Sequence, residues 1–173
     1  MAKSLLDDEL NRKIVASLQA EGRMSHAELA ERLGVSRPTV IDRIKRLESG
    51  GVIEGYFAAV SPASVKKSSV AYVSVRYRTD DDQLEKQFLE SLAKEPDILE
   101  AHTTAGEDCL LLKIVADNPM GINELLRRIR SFGPQASTCT TMVLETHFEK
   151  PGPSPFPSDE MTKRALTVFQ KSE

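Results

Sequence analysis

The sequence is poor in several things, and each shortage excludes a class of protein. Its 173 residues hold two cysteines, Cys109 and Cys139. Two thiols this far apart cannot build a disulfide framework. No run of 18 apolar residues occurs, so no membrane span is expected. The opening MAKSLLDDEL lacks the apolar stretch of a signal peptide. Together these point to a cytoplasmic protein with reduced thiols. Positive charge is not in excess either: 23 Lys and Arg stand against 26 Asp and Glu, for a net charge of −3. That balance excludes a non-specific nucleic-acid coat, which would be basic. It leaves room for a sequence-reading protein whose basic residues sit on one element. The length allows one domain or two small ones.

What is present first reads as helices. Leu10, Ile14 and Leu18 repeat at i, i+4 and i+8 with Val15 beside them, the apolar stripe of one helix that ends at Gly22. Ser25 and Glu28 have the spacing of a capping box, and Leu29 and Leu33 carry the apolar face of a second helix closed by Gly34. Ser36 caps a third helix with Pro38 in its first turn, where a missing N–H costs nothing. Its inward stripe is Val40, Ile44 and Leu47, and Gly50-Gly51 ends it. Two helices joined by Leu33-Gly34-Val35-Ser36, the second capped and basic, form a helix-turn-helix.

That arrangement leaves Arg37, Thr39, Asp42, Arg43 and Arg46 outward or lateral. In the first turn, Arg37 can pair with guanine and Thr39 can offer a hydroxyl or methyl to a base edge. Arg43, Lys45 and Arg46 suit phosphates, as do the Ser36 hydroxyl and the helix N-terminus. The plainer alternative is a three-helix packing unit with a solvated charged face. Charge by segment removes the objection that the net charge raises. Residues 1–55 are neutral, 36–48 are +2, and 56–150 hold the whole excess of acid at −3. So acidic a chain is expected to bind non-specific DNA weakly.

Beyond the helices, 52–60 look extended, and 61–69 are small and polar with Pro62, a linker. Residues 70–78 alternate with period two, as a strand does. Leu84, Phe88 and Leu92 mark a helix, 98–104 a strand, and 109–116 a central strand. Ile122, Leu125, Leu126 and Ile129 mark a helix opened by Asn118-Pro119, and 140–148 close the unit as a strand. The order β-α-β-β-α-β is a ferredoxin-like arrangement. The fold class is therefore α+β, with a winged-type helix-turn-helix over 1–60, a linker over 61–69 and a ferredoxin-like domain over 70–150. A tail over 151–173 follows. Its PGPSPFP holds four of the nine prolines and should be stiff and extended. Ser158 then opens a short helix with Met161, Ala165, Leu166 and Phe169 on one side.

Between two predicted strands lies Thr103-Thr104-Ala105-Gly106-Glu107-Asp108. Its acids can hold an ammonium, while N–H groups near Gly106 can hold a carboxylate. Ser137, Thr138 and Thr140 can add hydroxyls from another strand. On chemistry alone the loop reads first as an exposed hairpin turn. His102, Cys109, Cys139 and His147 are soft ligands without metal spacing, so no metal is expected. His102 with Glu107 is an acid-base pair with nothing to orient it, so an enzyme is not expected. A purely architectural DNA-binding protein is the remaining rival.

The stretch LNRKIVASLQAEGRMSHAELAERLGVSRPTVIDRIKRLESGGVIEGYFAAV closely resembles the Lrp/AsnC (leucine-responsive/asparagine, feast/famine) family of prokaryotic transcription factors. The carrying residues include Ile14, Gly22-Arg23, Glu28-Leu29-Ala30, Gly34-Val35-Ser36, Val40, Arg43 and Gly51-Val52-Ile53. AGEDCLLLK (105–113) resembles the same family's glycine-acid loop before a central strand. Two segments thus match in the right order. The resemblance implies promoter DNA as a partner, with Ser36, Arg37, Thr39, Arg43 and Arg46 in the recognition helix. It implies a small amino acid as effector, bound between dimers at a loop containing Gly106, Glu107 and Asp108. It implies self-association as a dimer, and an octamer or another multiple of dimers. Cys109 and Leu110 depart from the family pattern, which leaves either Glu107 or Asp108 to face a ligand.

Overall fold

The structure, a computed structural model, describes residues 4–133, 135–150 and 152–157. The chain divides into two compact units. The first runs to Ala58 and takes in the chain again from Glu149; the second is Ala59–Phe148.

In the first unit a 3-10 turn, Leu5–Asp7, leads into α1, Glu9–Ala20. Asp8 caps α1 by accepting from the Leu10 and Asn11 N–H groups. Then come α2, His26–Leu33, and α3, Arg37–Ser49. Both halves of the Ser25–Glu28 capping box form: Glu28 N–H reaches Ser25 Oγ at 3.2 Å, and Ser25 N–H reaches the Glu28 carboxylate at 2.8 Å. Gly34 ends α2 with φ +67°, a left-handed conformation that glycine adopts without strain. The Val35 N–H returns to the Ala30 carbonyl at 3.0 Å, completing a tight reversal between the helices. Ile14, Leu29, Val40, Ile44 and Leu47 from all three helices form one buried cluster. Residues 53–60 belong to no helix or strand, and among them Tyr56, Phe57 and Val60 are exposed.

The expected linker holds one 3-10 turn, Ala63–Val65. The second unit then runs β1 (Ser69–Arg76), α4 (Asp82–Lys94), β2 (Ile98–Thr103), β3 (Leu110–Ala116), α5 (Pro119–Ser131) and β4 (Ser137–Met142). The sheet order is β2-β3-β1-β4, with every neighbouring pair antiparallel. This is the ferredoxin-like order expected. Asn118 caps α5 through the Met120 and Gly121 N–H groups. Ala71, Val73 and Val75 of β1 and Leu110, Leu112 and Ile114 of β3 pack with Phe88 and Leu92 of α4 and Leu125 and Ile129 of α5. Tyr77 stacks edge-on against Phe88, ring centroids 5.3 Å apart.

Two expectations need correction. The last strand was expected over 140–148; it runs Ser137–Met142. Its partner sets that range. β1 pairs with β4 from Ala71↔Met142 to Arg76↔Ser137, and the Val143 N–H to Val70 carbonyl bond at 2.9 Å is the last connection. Beyond it only Ser69 of β1 remains. The tail was expected to be extended; instead the backbone bends at Gly152, Pro155 and Phe156. Gln19 of α1 donates to the Pro153 carbonyl, and Ser154 Oγ accepts from the Phe156 N–H in a side-chain turn. The expected helix after Ser158 lies outside the described residues.

Candidate DNA interface and effector loop

α3 packs its Val40, Ile44 and Leu47 face inward and leaves its first turn open. Ser36 is the cap: its Oγ accepts from the Thr39 N–H at 3.2 Å. The Ser36 and Thr39 hydroxyls also bond each other at 2.7 Å. That contact uses one of the two hydroxyl hydrogens and leaves the other for an outside acceptor. Arg37 and Pro38 are exposed, and Arg37 makes no hydrogen bond or ion pair with a described residue. Asp42 and Arg46 pair one helical turn apart at 3.1 Å. Both are open to water, so the pair is weak and exchangeable. Lys45 is exposed.

Arg43 does not behave as expected. Its guanidinium is directed into the first unit, where Nη1 donates to the Asp8 carboxylate and, at 3.1 Å, to Asn11 Oδ1. Asn11 is the buried polar residue of this region, 3 % exposed, and its amide also donates to the Leu5 carbonyl at 2.7 Å. Arg43 is thus committed to joining α3 to the start of α1. The Arg43 hydrogen bond is the main reason the Asp8 carboxyl titrates below its ordinary value. The Glu28 carboxyl is also lowered, chiefly by its contacts with Ser25 in the capping box.

In the second unit, Thr104–Cys109 join β2 to β3. Thr104 N–H reaches the Cys109 carbonyl at 3.0 Å, and its hydroxyl reaches the Asp108 carbonyl at 2.8 Å. Cys109 ties the loop to β1: its N–H meets the Val75 carbonyl at 2.9 Å, and its thiol faces the Tyr77 carbonyl at 3.2 Å. Gly106 sits at φ +149°, which a side chain would strain.

A cleft of about 600 Å³ opens beside this loop. Thr103, Thr104, Gly106, Asp108 and Cys109, five of the residues expected to meet an effector, line it. Tyr77, Arg78, Thr79, Asp80 and Glu85 line it too. Periodicity marks Tyr77 and Arg78 as strand but points none of these five to a site, because the lining joins the residues after β1 to the start of α4. Burial and the Glu85 carboxylate push the Tyr77 hydroxyl far above its ordinary range, so it stays protonated and donates to Glu85 at 2.6 Å.

The other expected residues lie elsewhere. Ala105 and Glu107 are exposed beside the cleft lining. Thr138 and Thr140 pair with Val75 and Val73, which places them on the helix-covered face, and Thr138 accepts from Arg130 at 3.2 Å. Ser137 pairs with Arg76 and donates to its carbonyl at 3.4 Å. Arg76 was missed from sequence. Its Nη2 lies 2.9 Å from Glu107 and 3.3 Å from Asp108. His102 contacts Glu100 at 3.4 Å and not Glu107. Among the described residues, no three His, Cys, Asp or Glu side chains are placed to share a metal ion, and no helix is long and apolar enough to cross a membrane.

Comparison with known proteins agrees with this geometry. Residues 7–54 match the model of the winged helix-turn-helix DNA-binding family, and 70–153 match that of the Lrp/AsnC ligand binding domain. The leucine-responsive regulatory protein of Rhizobium meliloti is 32 % identical over 136 residues, covering 79 % of this chain and 87 % of that protein. The transcriptional regulator LrpA of Mycobacterium tuberculosis is 30 % identical over 145 residues, covering 82 % and 92 %. Two solved structures superpose well. One is a feast or famine regulatory protein of M. tuberculosis complexed with L-methionine, at TM-score 0.77 and 30 % identity, covering 86 % of this chain and 99 % of that one. The other is a Neisseria meningitidis transcriptional regulator in its L-methionine complex, at TM-score 0.78 and 27 % identity, covering 89 % and 98 %. A helix-turn-helix with an open first turn, followed by a β2-β3-β1-β4 sheet and two matching family models, places this chain in the Lrp/AsnC family of transcriptional regulators.

Proposed function

We propose that the protein is a cytoplasmic, non-enzymatic regulator that reads promoter DNA through α3 and responds to a small amino acid at the 103–109 loop. The observation that carries the reading is the exposed first turn of α3, with Arg37 bonded to no described residue above a fully packed inner face. Arg37, Thr39 and the Ser36 hydroxyl meet base edges and the nearest phosphate; Lys45 and Arg46 meet flanking phosphates. Dimers place two such helices in half-sites about one helical turn, or a multiple, apart. The L-methionine complexes of two structural neighbours support an amino-acid effector, as does the cleft beside Gly106 and Asp108.

Effector binding shifts the way dimers associate, as an octamer or another multiple of dimers, and so the spacing of helices along DNA. A coupling of about 1–3 kcal/mol is typical for such a shift. The test measures solution mass and affinity for a selected DNA site with and without each amino acid. A site bound no better than random DNA would end the DNA reading. A mass and affinity unmoved by every amino acid would end the effector reading and favour a purely architectural protein.

A further inference from the structure

The 103–109 loop contains two carboxylates, and one cation from outside the loop meets both. Arg76, the last residue of β1, brings Nη2 to 2.9 Å from Glu107 Oε2 and 3.3 Å from Asp108 Oδ1. Its backbone is held on both sides. The neighbouring Val75 carbonyl accepts the Cys109 N–H, and the Arg76 carbonyl accepts the Ser137 hydroxyl. Arg76 therefore stands where the loop and the start of β4 converge, with its side chain half exposed.

This cluster is out of charge balance. Two carboxylates share one guanidinium, leaving one negative charge poorly matched. The ion pairs are open to water, with Glu107 89 % exposed, so they are weakly held and exchange partners readily. An α-amino acid at neutral pH carries a carboxylate and an ammonium one carbon apart. Those are the two charges the cluster can absorb: the ammonium matches the surplus acid, and the carboxylate takes the guanidinium that the acids release. Arginine is suited to this, because its planar fork accommodates a carboxylate with two parallel N–H donors.

We propose that Arg76 receives the α-carboxylate of the effector, exchanging Glu107 and Asp108 for the ligand while those two acids turn to its ammonium. This rests on the reading of the loop as an amino-acid site, and it places the ligand on the Arg76 side of the loop, where Asp108 alone of the three charged residues also lines the cleft. The arrangement selects for a free zwitterion. A ligand with only the amine draws the acids away and leaves Arg76 without a partner. A ligand with only the carboxylate meets two repelling acids.

The experiment is calorimetric titration of the full-length protein with L-leucine and L-methionine, and with the amide and the N-acetyl derivative of each. The wild-type protein is expected to prefer an amino acid at least tenfold over its amide. Arg76→Gln should lose at least tenfold in affinity and bind amino acid and amide alike. Arg76→Lys, which keeps the charge without the fork, should recover part of the preference. Asp108→Asn combined with Glu107→Gln should instead erase the preference over the N-acetyl derivative. An Arg76→Gln protein with unchanged affinity and unchanged preference over the amide overturns the role of Arg76 and leaves the loop site standing. A wild-type protein that binds neither these nor any other of the twenty amino acids removes the amino-acid reading itself.

Discussion

Gln19 of α1 donates its side-chain amide to the carbonyl of Pro153 at 2.8 Å, across 134 positions of sequence. The bond returns the segment around Pro153 to the first unit, which already contains residues up to Ala58. A single hydrogen bond of this kind contributes about 0.5–1.5 kcal/mol net. Truncation after Lys150 removes at least this bond, and should lower the stability of the first unit by about 1 kcal/mol or more while leaving the second unit unchanged. Hydrogen exchange resolves the two: amides of α1 should lose protection, while those of β1 and β3 should not. Equal loss in both units would show that the tail is part of a shared core.

Arg43 and Asp8 give a second prediction. Arg43→Ala leaves the buried Asn11 carbonyl without this donor, and an unsatisfied buried polar group costs about 1–3 kcal/mol. The variant should unfold the first unit earlier in a thermal melt. The pH dependence follows in sign. Asp8 titrates below its ordinary 3.8 in the folded protein, so the folded state favours the ionised form. The stabilisation is present above pH 3.8 and lost as pH falls through the lower folded value. Wild type should lose stability in that acid window more steeply than Asp8→Asn. Parallel curves would show that the pair contributes nothing.

Arg37→Ala should cost about 1–3 kcal/mol on a cognate site and relax base preference at one position. Its effect on random DNA should be much smaller. Binding competition against a randomised library reads this directly; an unchanged preferred sequence would remove Arg37 from base recognition.

Gly106→Asp adds a side chain where φ is +149° and a third carboxylate beside Glu107 and Asp108. The open space around Gly106 means the effect comes from strain and charge, not collision. On the proposed reading, effector affinity should fall by more than tenfold while DNA binding persists. A normal ligand response would place the effector elsewhere.

Sequence reasoning succeeded where the signal is local and failed where it depends on distant partners. The Ser25–Glu28 box, the Ser36 cap and the inward Val40, Ile44 and Leu47 depend on residues three or four apart, so their spacing alone reveals them. A helical wheel places Arg43 on a lateral, solvated face. It cannot show that Asp8 and Asn11, more than 30 positions earlier, wait beside that face. The span of β4 is not legible in sequence because TTMVLETHF is strand-like throughout, while pairing with β1 decides how much of it forms a strand. Arg76 was one basic residue in an alternating strand; only the register with Ser137 and the path of the loop reveal what it meets. Ser137 and Thr138 are adjacent hydroxyls in sequence, yet the pleat sends them to opposite faces.

The internal commitment of Arg43 also changes how the protein should respond to salt. Each phosphate neutralised by a protein cation releases condensed counterions and steepens the dependence of log affinity on log salt by about 0.9. Counting basic residues on α3 gives four: Arg37, Arg43, Lys45 and Arg46. Arg43 is already paired with Asp8, so on the proposed reading of α3 it should displace no ion from DNA. For a dimer that presents two α3 helices to DNA, as proposed, the slope should be shallower than the residue count implies by about 1.8. Lys45→Ala should reduce it further, and Arg43→Ala, in whatever fraction remains folded, should leave it where it was.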